Sequence, residues 1–389
     1  MRICRIATVP FFLLHHLRSQ IDAIVQGGHE VHLVSSPVAG MQEVKEISGV
    51  NFEPITIPRQ IAPLADLRAL VRLFVYFFNG RFDIVHSTTP KAGLLCAIAG
   101  FLAGVPIRLH TFTGQAWVGL SGPVRWGAKA SDWLIARLNT RCYADSESQR
   151  AYLIAQGVVD ATRITVLGAG SLAGVDLEKL DVRRLAQNCP AIRAELSLPP
   201  EAKVIMFIGR VTRDKGIVEL VQAFNLVRQR FGDAFLILIG PFESERDPLP
   251  NNVLEEIRSN PNIRVVGYHP SPENYLAISH LLCLPSYREG FGNVVIEAAA
   301  LGIPTVGTAI VGLKDAVVDG ETGVLVPPQD SQALAEAIIP LLLDEQRRQV
   351  MGLAAQKRAF NLFDAKLVNA LVLREYEALF YDILHDASG

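Results

Sequence analysis

The stretch His280–Pro304, HLLCLPSYREGFGNVVIEAAALGIP, reads as a strand, a loop, a helix and a stop in succession. HLLCLPS is a short apolar run of strand length, YREGFGN is rich in turn residues, and VVIEAAALG has helical composition up to Gly302-Ile303-Pro304. Glu289 then lies in the strand-to-helix loop and Glu297 one turn into the helix, with seven residues between them. The backbone N–H groups of Gly290, Phe291, Gly292, Asn293 and Val294 fall at the helix start, where the glycines allow close approach of a ligand. A carboxylate accepts hydrogen bonds and can take two from a vicinal diol. The plainer alternative is an acid favoured by the helix dipole and an ordinary exposed Glu.

The same rhythm extends both ways. RICRIATV, EVHLVSS, FDIVHST, IRLHTFT and RCYADS read as strands, separated by helical patterns at 17–27, 65–79, 93–103 and 124–138. After Lys203 the series restarts with KVIMFIGRV, AFLILIG, NIRVVGY, HLLCLPS, IPTVGT and TGVLVPP, with helices at 217–231, 294–301 and 331–343. Continuous Val/Ile/Leu strands alternating with helices predict parallel sheets covered on both faces. The 389 residues suit two such domains. The expected division is a first domain over 1–190, a second over 200–365, and a final helix over 366–389 that rejoins the first. The polar, proline-containing segment 187–203 supplies the boundary. In open α/β sheets ligands bind beyond the carboxyl ends of the strands, so a cleft between two such domains is the expected site.

One further strand end carries charge. In FIGRVTRDKG, an apolar strand runs to Gly209, and Arg210 and Lys215 follow before a helix beginning near Ile217. Two cations beside a helix N-terminus suit phosphate, the Arg as a planar fork and the Lys as a point charge. The alternative is a pair of solvated charges in a turn. No Gly-Lys-Ser/Thr of a Walker loop is present.

Composition removes several classes. Half of the residues are hydrophobic, and the net charge of −2 excludes a strongly basic nucleic-acid binder. That charge is split: residues 1–190 carry 19 Lys and Arg against 14 Asp and Glu, and residues 191–389 carry 18 against 25. A basic, apolar first half fits an anionic membrane surface. Cys4, Cys96, Cys142, Cys189 and Cys283 are scattered, which argues for a reducing, cytoplasmic setting and against zinc. The opening MRICRIATVPFFLLHHL reads as a buried strand, since no small-residue cleavage site follows it. The uncharged run Ala92–Ile107 is shorter than the ~20 residues of a spanning helix.

Arg210 with Lys215, then Glu289 and Glu297 within PSYREGFGNVVIEAAALGIPTVGT and the following GLKDAVVDGETGVLVPPQD, resembles the retaining glycosyltransferases of family 4, which have the GT-B fold. HSTTPKAGLLCAIAGFLAGVPIRLHTFTGQAW and YADSESQRAYLIAQGV are similar to bacterial members that build O-antigen, capsule and exopolysaccharide units on a lipid carrier. The resemblance implies two Rossmann-like domains facing across a cleft, and transfer from a nucleotide-diphosphate sugar with retained anomeric configuration. It implies no cofactor and no metal, and the chain has no Asp-x-Asp to hold a divalent ion.

Carried over by position, Arg210 and Lys215, next to Gly209, would stabilise the donor diphosphate. Glu289 would hold hydroxyls of the donor sugar, Glu297 the ribose, and the backbone at Gly267 and Tyr268 would meet the base. Uridine is the base expected, on the resemblance alone. His110 in LHTFTG matches a histidine placed at the sugar; packing or capping is the equal alternative. Asp145 and Ser146 read as a helix cap. Where many members carry a glycine-rich loop, this chain reads Thr8-Val9-Pro10-Phe11-Phe12. Phe11, Phe12, His15, His16 and Arg18 would there shape an acceptor site, with Phe11 and Phe12 as simple core residues the alternative.

The implied acceptor is a polyprenyl-diphosphate-linked saccharide, with the enzyme peripheral on the inner face of the cytoplasmic membrane. ADLRALVRLFVYFF, and a second pattern containing Trp126, Lys129 and Trp133, suit helices lying on an anionic bilayer. Domain helices with solvated charges are the alternative. Two other functions fit the same architecture: a nucleotide-sugar epimerase, which turns over donor without acceptor, and a non-catalytic glycan-binding relative.

Overall fold

The structure, a computed structural model, describes residues 1–39, 41–243 and 247–386. The chain forms two compact units, Met1–Gly174 with Ala365–Gly389, and Val175–Asp364.

The first unit runs β1 (Arg2–Ile6), α1 (Pro10–His15), α2 (Arg18–Gln26), β2 (Glu30–Ser35), α3 (Met41–Lys45), β3 (Val50–Pro54) and α4 (Pro63–Gly80). It continues with β4 (Ile84–Ser87), α5 (Pro90–Leu102), β5 (Ile107–Phe112), α6 (Gly122–Leu138), β6 (Arg141–Ala144), α7 (Glu147–Ala155) and β7 (Ile164–Thr165). All strands pair in parallel in the order β3-β2-β1-β4-β5-β6-β7. The opening residues are thus a central strand, as expected, and its alternate side chains feed two cores. Ile3 packs with α1, α2 and α3; Cys4 and Ile6 pack with α4 and α5. The helix expected at 17–27 is preceded by a separate short one, because Pro10 supplies a ready first helical residue.

The second unit contains α8 (Val182–Glu195), β8 (Lys203–Ile208), a single 3₁₀ turn at Arg213–Lys215, α9 (Ile217–Arg230), β9 (Ala234–Ile239), α10 (Asn251–Ser259) and β10 (Ile263–Gly267). There follow α11 (Glu273–Leu276), β11 (Leu281–Leu284), α12 (Asn293–Ala300), β12 (Thr305–Thr308), α13 (Leu313–Ala316), β13 (Gly323–Val326), α14 (Ser331–Leu343) and α15 (Glu345–Leu362). Its parallel sheet has the order β10-β9-β8-β11-β12-β13. Both orders step outward from a first strand and then reverse, the doubly wound arrangement.

The division between units falls at Gly174/Val175, earlier than the 187–203 segment suggests. α8 belongs to the second unit: Tyr275 Oη donates to Glu195 at 2.8 Å and Arg264 Nε to the Leu196 carbonyl at 2.8 Å. Only Leu185 of this helix is buried, so a docked helix carries the polar composition of a linker.

The last helix, α16 (Ala365–Asp386), returns to the first unit and packs on α2. Its Tyr376 hydroxyl accepts from the buried Arg5 guanidinium at 2.5 Å and lies 2.6 Å from His86 Nδ1. Residues 387–389 of the expected helix lie outside the described residues. Among those described, no helix is long and apolar enough to cross a membrane.

Candidate active site

β8 and β11 are neighbours, so the loops leaving their carboxyl ends lie side by side. The first loop carries Gly209, Arg210 and Lys215; the second runs from Pro285 to Gly292. Two glycines make this possible. Gly216 ends the 3₁₀ turn at φ +71°, where a Cβ would stand 2.0 Å from the Pro285 carbonyl oxygen. Gly292 takes φ +90° as the residue before α12, turning the chain sharply into the helix.

The two loops are joined by charge. Lys215 Nζ lies 2.5 Å from Glu289 Oε1, with side-chain exposures of 16% and 14%. The Ser286 hydroxyl donates to the same oxygen at 2.7 Å, and the Thr308 hydroxyl bonds the Ser286 carbonyl. Arg210 reaches Glu243 at 2.9 Å and Asp214 at 3.3 Å. Arg288 reaches that same Asp214 oxygen at 3.1 Å. Asp214 also accepts from the Thr212 hydroxyl at 2.5 Å, and its amide donates to Asp247 at 2.5 Å. Its carbonyl accepts the Tyr287 amide at 2.9 Å. Burial opposes ionisation of Asp214, but the Thr212 hydroxyl and the flanking cations outweigh it and leave the pKa below the ordinary value.

Glu297 lies on α12, largely enclosed, and burial pushes its pKa up to about 7. Lys179 acts against that shift and Glu273 adds to it; these two form their own ion pair at 3.5 Å. Phe291 turns its ring inward against Phe363, at 5.2 Å between centroids, which leaves its backbone as the part available to a ligand. Gly267 closes β10 at a register irregularity, and the Tyr268 side chain after it is exposed. Gly290 is buried, whereas Asn293 and Val294 are partly exposed at the start of α12.

In the first unit His110 is buried within β5, two residues before its last, Phe112. Its Nδ1 is 2.9 Å from the Ser87 hydroxyl, its ring lies against Gly93 and Phe112, and burial lowers its pKa to about 3. The imidazole is therefore neutral at physiological pH. Ser146 caps α7 by accepting from the Gln149 amide. Asp145 does not share that role: it is buried, and burial lifts its carboxyl to about 8.

Phe11 is exposed and its ring is tilted against His15, at 4.2 Å between centroids, while Phe12 packs partly into the core and against His16. Burial, with His15 adding to it, lowers His16 to about 4. Arg18 pairs with Asp22 at 2.9 Å. Trp126 and Trp133 are exposed on α6, but Lys129 folds over the buried Trp117 ring, 5.7 Å from its centroid.

The sequence reading missed Asp214, Glu243, Ser286 and Arg288. Asp214 and Arg288 sit inside the two motifs, and Asp214 is four residues after Arg210, so spacing pointed to it. Glu243 follows β9, with no local pattern to single it out.

Residues 15–170 match the family described as Glycosyl transferase 4-like domain, and residues 189–358 match Glycosyl transferases group 1. A capsular polysaccharide biosynthesis glycosyltransferase of Staphylococcus aureus, CapM, is 32% identical over 96% of this chain and 95% of its own. An Escherichia coli UDP-Gal:alpha-D-GlcNAc-diphosphoundecaprenol alpha-1,3-galactosyltransferase is 25% identical over 86% of this chain and 85% of its own. Among solved structures, Anabaena Alr3699/HepE in complex with UDP and glucose superposes with a TM-score of 0.80 at 20% identity, covering 97% of this chain and 100% of that one. With both halves matched and a relative of this identity along nearly the whole length, the chain belongs to the group 1 glycosyltransferases and is an enzyme of the GT-B fold.

Proposed function

We propose that the enzyme transfers a sugar from a nucleotide-diphosphate donor, a UDP-sugar, to a polyprenyl-diphosphate-linked saccharide in the synthesis of a bacterial surface polysaccharide. The named activities of the S. aureus and E. coli relatives support the pathway and the acceptor. The observation that carries the donor reading is the meeting of Lys215 and Glu289 at adjacent strand ends, with Arg210 beside them.

In this reading Lys215 and Arg210 turn to the diphosphate, and Glu289, released from Lys215, accepts hydrogen bonds from the sugar hydroxyls. The backbone from Gly290 to Val294 lies along the donor. Glu297 takes the ribose diol, and Gly267 and Tyr268 meet the base. His110, kept neutral by burial, bonds a sugar hydroxyl. The C1–O bond to the diphosphate breaks and the acceptor oxygen bonds C1 on the same face. The acceptor proton passes to the departing phosphate, so the configuration is retained. Arg210 and Lys215 neutralise the charge that grows on the leaving group; loss of one such contact costs about 10²–10³ in rate. These two cations take the place of a metal ion.

The acceptor is met at an anionic membrane surface, on the inner leaflet of the cytoplasmic membrane. α4 supports this: opposite its buried Ala69, Leu73 and Phe77 it exposes Leu64 (76%), Leu67, Val71, Val75 and Phe78 (62%), with Arg68 and Arg72 exposed alongside. A helix apolar on both faces needs a second apolar medium. The exposed Trp126 and Trp133 of α6 supply interfacial aromatics.

The test is to incubate the enzyme, with and without EDTA, with a panel of nucleotide sugars and a polyprenyl-diphosphate-linked saccharide, and to read the anomeric coupling of the product. An α-linked product from an α-donor, unaffected by EDTA, is expected. An inverted product, a metal requirement, or turnover of donor without acceptor would overturn the proposal.

A further inference from the structure

We propose that Arg288 is a third cation of the diphosphate site and that Asp214 is the positioning residue that sets it beside Arg210. The inference rests on the donor reading above and adds two residues to it. Arg210 and Arg288 come from different loops, one after β8 and one after β11, yet one nitrogen of each guanidinium bonds the same Asp214 oxygen, at 3.3 and 3.1 Å. Two guanidiniums brought to one point repel, and this arrangement persists because a carboxylate stands between them.

Asp214 is built to stay in place. Its second oxygen is taken by Thr212, its amide by Asp247 and its carbonyl by the Tyr287 amide, so both loops are fixed relative to its side chain. The carboxylate is largely covered, with 17% of its side chain exposed, whereas the Arg210 and Arg288 side chains are 35% and 39% exposed. The brace is therefore inside, and the two guanidiniums keep N–H groups for an outer partner. Arg288 directly precedes Glu289, which is itself held by Lys215. Arg210, Lys215 and Arg288 thus converge on one place, and a diphosphate offers enough oxygens to engage all three. A planar fork can grip two of those oxygens at once, which a lysine cannot.

Titration of the full-length enzyme and its variants with UDP, UMP, ADP and GDP, paired with transfer kinetics, tests this. Arg288→Ala should weaken UDP binding at least tenfold and change UMP binding less than twofold, since the missing contact is to the terminal phosphate. Arg288→Lys should recover part of the UDP affinity. Asp214→Asn removes a negative charge beside the phosphates, so UDP should bind no more weakly, while kcat falls at least tenfold because the guanidiniums lose their alignment. A merely structural Asp214 would lower affinity and kcat together. Thermal unfolding checks that each variant is folded, and Arg288→Gln replaces the alanine variant if that one is not. UDP affinity and transfer rate in Arg288→Ala within twofold of wild type would refute the inference and leave the donor reading intact. Failure of the wild-type enzyme to bind any of the nucleoside diphosphates would bring down the donor reading, and this inference with it.

Discussion

Lys215 Nζ and Glu289 Oε1 form a 2.5 Å ion pair that is about five-sixths shielded from solvent and links the loop after β8 to the loop after β11. The partners proposed for the two ends of a glycosyl phosphate therefore hold each other. Removing either one leaves a covered charge without its direct ion-pair partner, which is costlier than losing a surface pair. Lys215→Ala should reduce transfer by about 10²–10³ while lowering stability by about 1–3 kcal/mol, read from urea unfolding. The double variant Lys215→Ala with Glu289→Gln should regain much of that stability and none of the activity. Undiminished transfer in Lys215→Ala would remove the phosphate assignment.

Glu297 gives a pH signature. Its folded pKa, about 7, lies above the ordinary carboxylate value, so between those two pH values the folded chain binds more protons than the unfolded one. Stability from this residue is therefore full at low pH and lost as pH rises towards 7. Asp132 and Asp145, also raised by burial, act in the same direction, so the comparison must be with a variant. Glu297→Gln should be more stable than wild type above pH 7 and match it near pH 4. Because the ionised form is the better acceptor for a diol, the KM for donor should fall between pH 6 and 8 in wild type and stay flat in the variant.

The outer face of α4 predicts reversible vesicle binding. Leu67→Glu with Val71→Glu should cut co-sedimentation with anionic vesicles at least tenfold and leave melting nearly unchanged, since both positions are exposed. Raising the salt should weaken wild-type binding through Arg68 and Arg72. No binding by wild type at low salt would rule out this surface.

Gly216→Ala tests the loop geometry directly. A methyl group 2.0 Å from the Pro285 carbonyl, at a positive φ, cannot be absorbed without moving one loop away from the other. Donor binding should be lost along with about 2 kcal/mol or more of stability. A crystal structure of the variant with both loops unmoved would contradict the account.

The sequence displayed the parallel core clearly, because buried strands such as AFLILI and KVIMFI are unbroken apolar runs. It concealed β3, VNFEP, and the two-residue β7, because edge strands need little apolar surface. The candidate site was legible where chemistry follows from local spacing, as with Arg210, Lys215, Glu289 and Glu297. The braces were not, because Glu243 and Ser286 act through contacts that only the folded sheet creates. Asp145 illustrates the opposite error: a sequence pattern suggests a shared cap, but Asp145 is buried and Ser146 supplies the cap.

The bond between Arg5 and Tyr376 spans 371 positions of the chain. On the ribosome, every strand of the first sheet has been made by residue 165, but α16 follows only after the whole second unit, Val175–Asp364. At ordinary elongation rates that interval is roughly 10–40 s. Throughout it, the apolar groove that α16 fills beside α2 stands open and Arg5 lacks its hydroxyl partner. The half of the enzyme translated first is thus the half completed last, and chaperones would meet it with that groove exposed.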